Sequence, residues 1–263
     1  MPIGHGTREG RVSSKFLGAL ACAVLLCGCN SLETVQFAPS FNQSAIVRDG
    51  VPAIVSRKDH SIVLVRPALR GEPSTGRLVF IVAVNNLTRQ PVDFHVADIS
   101  VLQTAADGSQ TALDVIPFEQ LANEEQSREV AAALLTGLAA GANAYSASRA
   151  GYGTTYGSVY TPHGVATFSG TYYSPTAAAL AQANASAQNE AMISNTIETG
   201  QRNMAELQRF VLKDNTLMPG EWIGGQVHIS PPYSQGGQPK KYTISISVAG
   251  DVHQVEVVQQ SPQ

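Results

Sequence analysis

The chain has 263 residues, with 17 Lys and Arg against 20 Asp and Glu, and its charged fraction of 14 % is low for a globular protein. A weakly acidic balance argues against non-specific nucleic-acid binding, which rests on a basic face meeting phosphates. The shortfall in charge lies in an Ala/Gly/Ser/Thr/Tyr-rich middle, and the length suffices for one core carrying a large insertion.

At the N-terminus, Arg8, Arg11 and Lys15 precede an apolar run from Phe16 to Leu26, followed by Cys27-Gly28-Cys29. The run is too short for a spanning helix, which needs roughly 20 residues, and fits the ~7–15 residues of a signal h-region. With Leu26 three residues before Cys29 and Gly28 directly before it, this segment resembles a bacterial lipoprotein signal with its lipobox. The resemblance implies cleavage between Gly28 and Cys29 and diacylation of Cys29, which attaches the chain to a membrane. Ala19 and Ala21 also allow a conventional cleavage site around Cys22. Asn30, in place of the Asp used for inner-membrane retention, implies the outer membrane, with the periplasmic face as the expected location. Without residues 1–28 the chain has 235 residues, 14 basic and 19 acidic. Its one remaining cysteine, Cys29, is the acylated one, so the mature chain has no disulfide, thiol nucleophile or thiolate metal site.

From Ser31 to Pro117 short Val/Ile-rich runs predict strands at Ala45–Val47, Ala53–Val55, Ser61–Val65, Leu78–Val84, Val92–Leu102 and Thr111–Ile116. Asp49-Gly50, Asn85-Asn86 and Asp107-Gly108 punctuate them. Leu78–Val84 is apolar on both alternating faces, which predicts burial on both. In Val92–Leu102, Phe94, Val96, Asp98 and Ser100 alternate with His95, Ala97, Ile99 and Val101, as in one continuous strand.

Residues 118–213 read differently. Phe118 to Ala150 predicts a helix, with Glu119, Glu124 and Glu125 near its positive end and apolar positions Ala131, Leu134, Leu135, Leu138, Ala142 and Tyr145 at helical spacing. Pro175 to Lys213 predicts a second, N-capped by Ser174, with Ile193, Ile197, Gly200, Met204, Leu207 and Val211 spaced as a coiled-coil seam. Gly137 and Gly141 in the first helix, and Ala179, Ala183, Ala187 and Ala191 in the second, form small-residue faces. The expectation is that these faces pack together as an antiparallel helical hairpin. A second reading has Val130–Ala142 associating with lipid or with another copy. Between the helices, residues 148–174 hold Tyr152, Tyr156, Tyr160, Tyr172 and Tyr173, with a turn at Thr161-Pro162-His163-Gly164. This predicts a protruding β-hairpin whose tyrosines are candidate partner-binding residues.

After Asn215, Met218-Pro219-Gly220 is a turn, and Trp222–Ile229, Tyr242–Val248 and Val252–Val258 are predicted strands. Ala249-Gly250-Asp251 links the last two tightly. The fold class is therefore α+β, an antiparallel sandwich (29–117 and 214–263) interrupted by a helical hairpin (118–213). Phe80-Ile-Val-Ala-Val-Asn-Asn with Pro91-Val-Asp-Phe, and Thr216-Leu-Met-Pro-Gly-Glu-Trp-Ile-Gly-Gly-Gln-Val, resemble the immunoglobulin-like sandwich of small bacterial lipoproteins. That resemblance implies a fold and no catalytic residues.

No hydrolase elbow, P-loop or dinucleotide fingerprint is present. His60, His95, His163, His228 and His253 have no second ligand at HxH or HxxxH spacing; a pairing of His228 with His253 across strands is the one metal arrangement left open. Glu124-Glu125 is expected on a solvated helix face. These readings predict a non-enzymatic lipoprotein with a structural or protein-interaction role, without cofactor, metal or nucleic acid, anchored through Cys29 and with self-association open. A membrane-active protein and an envelope hydrolase without a local motif are the alternatives.

Overall fold

A computed structural model describes residues 32–48, 50–162, 164–234 and 238–261. Leu26, Gly28 and Cys29, with Asp49 and His163, lie outside the described residues. Ten strands come first: β1 (Leu32–Ala38), β2 (Gln43–Arg48), β3 (Val51–Arg57), β4 (Ser61–Pro67), β5 (Glu72–Pro73), β6 (Leu78–Asn86), β7 (Val92–Phe94), β8 (Ile99–Thr104), β9 (Gln110–Leu113) and β10 (Val115–Ile116). Helix α1 (Phe118–Arg149), strands β11 (Tyr152–Thr161) and β12 (Gly164–Tyr173) and helix α2 (Pro175–Phe210) follow. Strands β13 (Asn215–Leu217), β14 (Trp222–Ile229), β15 (Lys240–Val248) and β16 (Asp251–Gln260) complete the chain.

The fold is α+β with antiparallel strand pairing. One six-stranded sheet runs β5-β1-β16-β15-β8-β9 and another runs β10-β14-β6-β4-β3-β2. Both mix strands from before and after the helices, so neither half of the chain completes a sheet alone. The two sheets share one core, in which Phe80, Val82 and Val84 of β6 meet the buried faces of β15 and β16, including Ile244, Ile246, Val255 and Val257. The β15–β16 link turns tightly because Ala249 (φ 54°) and Gly250 (φ 80°) both lie in the left-handed region, as a two-residue hairpin requires.

The two stretches that carried the sandwich resemblance are brought together. Asn85 Nδ2 donates to the carbonyls of Gly220 and Glu221, and Asn86 Nδ2 to those of Gln90 and Leu217, docking the end of β6 onto the Met218–Gly220 turn. β6 pairs with β14 and β7 with β13.

Three strand expectations change. β6 buries Leu78, Phe80, Val82 and Val84, while Val79, Ile81 and Ala83 on its other face are half-buried, because that face lies on the outside of the two-sheet body. Val92–Leu102 is not one strand: a 3-10 turn at Val96–Asp98 separates β7 from β8 and shifts the buried phase from Phe94 and Val96 to Ile99 and Val101. Thr111–Ile116 divides at Asp114, where the chain leaves one sheet (β9) for the other (β10).

The segment from α1 to α2 is an arm on this body. Its helices are antiparallel, joined at the far end by the β11–β12 hairpin, and at the root Leu121 and Val211 cluster with Ile116. Gly225 permits the close return of the chain there: a Cβ at this position would stand 2.6 Å from the backbone N of Leu212, which donates to the Gln226 carbonyl.

Candidate interaction surface on the arm

Ser174 caps α2 by accepting from Ala177 N–H, and Pro175 fills the first turn, as expected from the sequence. The two helices meet through a polar, small-residue seam. Thr196 Oγ1 donates to the Met192 carbonyl, so Thr136 Oγ1, 2.9 Å away, is the donor to Thr196. Asn143 Nδ2 donates to Asn189 Oδ1, and Asn189 Nδ2 to the Ala140 carbonyl. Asn203 Nδ2 donates to Glu125 Oε1 at 2.7 Å. Gly200 is buried between the Asn203 and Thr196 pairs, with the Glu129 side chain laid over it, and Ala147 and Ala185 are buried beyond the Asn143–Asn189 pair.

The expected packing of the small-residue faces is therefore corrected. Gly137 and Gly141 have open space where a side chain would be, and Ala183 and Ala187 are exposed. Leu134, Leu135 and Leu138 are 67 %, 68 % and 73 % exposed, and Tyr145 also faces solvent. On α2, Gly200 lies on the seam and Met204 and Leu207 are half-buried, whereas Ile193 and Ile197 turn outward. Seam residues pair by hydrogen bonds, which leaves the apolar stripe of α1 as the outer surface. This helix is also long and apolar enough to cross a membrane by length and composition, with a mean hydropathy of 1.3 over its most apolar window.

Glu124 and Glu125 are not a free solvated pair. Glu124 accepts two hydrogen bonds from Arg77, at 2.7 and 2.8 Å, which hold its carboxyl below the usual range. Glu125 is buried and accepts from Asn203 and Arg128. A cleft of about 400 Å³ opens at this root, lined by Arg77, Glu124 and Glu206, and by His228 on β14. Arg77 pairs with Glu124 and Arg128 with Glu125, and Glu206 is the third carboxylate of the cleft.

The far end is different. Between Glu129 and Glu190 the only Asp, Glu, Lys or Arg is Arg149. Arg149 donates to the Tyr145 hydroxyl. The hairpin pairs without interruption from Tyr152↔Tyr173 to Thr161↔Gly164. Tyr152, Tyr156, Tyr160, Tyr172 and Tyr173 are all exposed, so the predicted tip tyrosines share one protruding element. Within it Tyr172 packs over Gly153 and Phe168 over Gly157, cross-strand pairs in which the ring occupies the space a glycine leaves. Tyr173 covers Gly151 and meets Tyr152 at 5.0 Å between ring centroids. Phe168 and Val159, outward on the same element, were absent from the tyrosine-based reading; their alternation with Gly157 and Gly170 is the signal that finds them.

The histidines do not converge. His228 and His253 stand on strands of different sheets, and among the described residues no group of three His, Cys, Asp or Glu could hold a metal. His253 is fully buried between two serines. Ser61 Oγ–H donates to Asp251 Oδ2, so its oxygen accepts from His253 Nε2–H, and His253 Nδ1 accepts from Ser56. That order is the reverse of nucleophile activation, in which serine donates to histidine. Burial lowers this imidazole's pKa to about 4 and keeps it neutral.

Comparison with protein-family models, with curated proteins and with solved structures gave no match.

Proposed function

We propose that this chain is a lipid-anchored, non-enzymatic lipoprotein of the outer membrane, facing the periplasm, whose two-sheet body is an immunoglobulin-like sandwich and whose arm binds a protein partner. The observation that carries this reading is the outward apolar face of an arm whose far part, residues 130–189, has Arg149 as its one Asp, Glu, Lys or Arg. Large exposed apolar surfaces are rare on proteins that act alone and mark interaction sites. At 1.5 Å per residue α1 extends about 50 Å, and ten strand residues add about 30 Å, so the tyrosines stand far from the body. Tyrosine contributes contact area at low entropic cost, which suits a tip that meets a partner. The lipobox-like Leu26-Cys27-Gly28-Cys29 supports the anchor, and the two antiparallel sheets that share a core support the sandwich.

A photo-crosslinking residue at Tyr156, in the full-length protein in cells, tests the reading. A discrete adduct is expected; the absence of any adduct at Tyr156 and at Tyr172 overturns it.

A further inference from the structure

The β11–β12 hairpin is a ribbon with nothing to complete it. Each strand has ten residues, no third strand joins either edge among the described residues, and neither face is covered. A lone two-stranded ribbon is marginal in water, and an exposed edge offers its free N–H and C=O groups to another strand. Natural edges are normally guarded by charge, proline or bulges. These strands have no charged residue and no proline, and their pairing has no bulge.

Length and pattern point to one completion. A strand of about 9–11 residues, tilted, crosses the hydrocarbon core of a bilayer. Such a sheet must close on itself, because an open edge in lipid leaves backbone groups unpaired. One face of the hairpin carries Tyr152, Tyr156, Tyr160 and Tyr173 among Thr and Ser residues, with Val165 as its one residue without a hydroxyl; the other carries Val159, Ala166, Phe168 and four glycines, interspersed with Thr155, Thr161 and Tyr172. This is the polar-in, apolar-out alternation of a barrel strand. Two strands per copy cannot close, so the strands that complete the barrel come from further copies.

We propose that the hairpins of several copies of this chain pair edge to edge into a closed β-barrel that crosses the membrane, with the hydroxyl face lining the pore. This rests on the reading of the arm as an interaction element and names its partner as the chain itself. The stalks are built to follow: the leucine face of α1 and the exposed alanine stripe of α2 lie on open surfaces that adjacent copies, side by side, bring together.

The test uses the full-length Cys29→Ala chain, which has no acyl anchor, and dye-loaded vesicles of phosphatidylethanolamine and phosphatidylglycerol. The expected result is an oligomer, dye release, and protection of residues 152–173 from protease. Val159→Lys and Phe168→Lys, on the apolar face, are expected to lower release by roughly tenfold or more, since lysine at mid-bilayer on a barrel's lipid face is strongly unfavourable. Val47→Lys, on the exposed edge strand β2 of the body, is expected to leave release unchanged. A chain that stays monomeric with vesicles present, retains the dye and is cleaved within the hairpin overturns the barrel. If Tyr156 then crosslinks to a different envelope protein in cells, the reading of the arm as a partner-binding element stands without the barrel. If neither Tyr156 nor Tyr172 crosslinks to anything, both fall.

Discussion

Thr136 on α1 and Thr196 on α2 hydrogen-bond at 2.9 Å inside the arm, while Leu135, the residue before Thr136, points outward. The helical pair is inverted relative to a soluble hairpin, with polar partners within and leucines without. Such a pair is held by specific hydrogen bonds, and its outer face is available to something else.

Asn189 is the key polar residue of that seam, accepting from Asn143 and donating to the Ala140 carbonyl. Asn189→Ala removes both bonds and is expected to weaken the arm by about 1–3 kcal/mol. Hydrogen exchange should show about 5- to 150-fold loss of protection in α1 and α2, with β6 and β15 unchanged. Loss of protection throughout the chain would contradict an arm that opens independently of the body.

Two glycines should respond oppositely. A Cβ on Gly225 meets the backbone of Leu212 and the carbonyl of Phe210, which cannot move aside as a flexible side chain would. Gly225→Ala is expected to destabilise the body by about 1–3 kcal/mol, the usual range for overpacking. Gly137 has open space around it, so Gly137→Ala should stabilise α1 by up to about 1 kcal/mol through helix propensity alone. Denaturant melts of the Cys29→Ala chain measure both.

Stability should carry two opposed pH dependences. Burial raises the pKa of Glu72 to about 7, although one of its oxygens accepts from Val79 N–H; the other has no partner among the described residues. Between pH 4.5 and 7 the folded chain therefore holds a proton that the unfolded chain releases, and stability falls as pH rises. His253, at about 4, does the reverse: below pH 6.5 the unfolded chain takes up a proton that the folded one does not, so stability falls as pH drops toward 4. The two slopes offset one another from about pH 4.5 to 6.5. Glu72→Gln removes one of them. Measured against the unsubstituted chain, its relative stability should rise from pH 4.5 to 7 by on the order of 3 kcal/mol. A difference independent of pH would mean that Glu72 is ionised in the fold.

Much of the fold was legible in the sequence because burial wrote a clear period. β14 begins at Trp222 and α1 at Phe118, as the alternation and the helical spacing indicate. β1 was missed because only Val35 along it is buried, so no period exists to read. The phase change after Val96 was hidden by a single 3-10 turn, which shifts every later residue by one position. The faces of the arm were misassigned for a deeper reason. Helical periodicity locates the apolar stripe of α1 but not the direction in which it points, and the inference that apolar means inward fails when polar pairs such as Asn143 and Asn189 form the contact. The hairpin and its tyrosines could be found from composition; the pairing of Phe168 with Gly157, and the separation of hydroxyl from apolar faces, needed the strand register.

The most direct measurement places a photo-crosslinking residue at Leu135 and, separately, at Thr136, in otherwise unaltered protein in cells. The expected result is intermolecular adducts from Leu135, on the covered outer face of an assembled arm, and only intramolecular products at α2 from Thr136. An unattached Leu135 in cells that accumulate the protein, or identical products from both positions, would contradict an interaction surface on the outside of this arm.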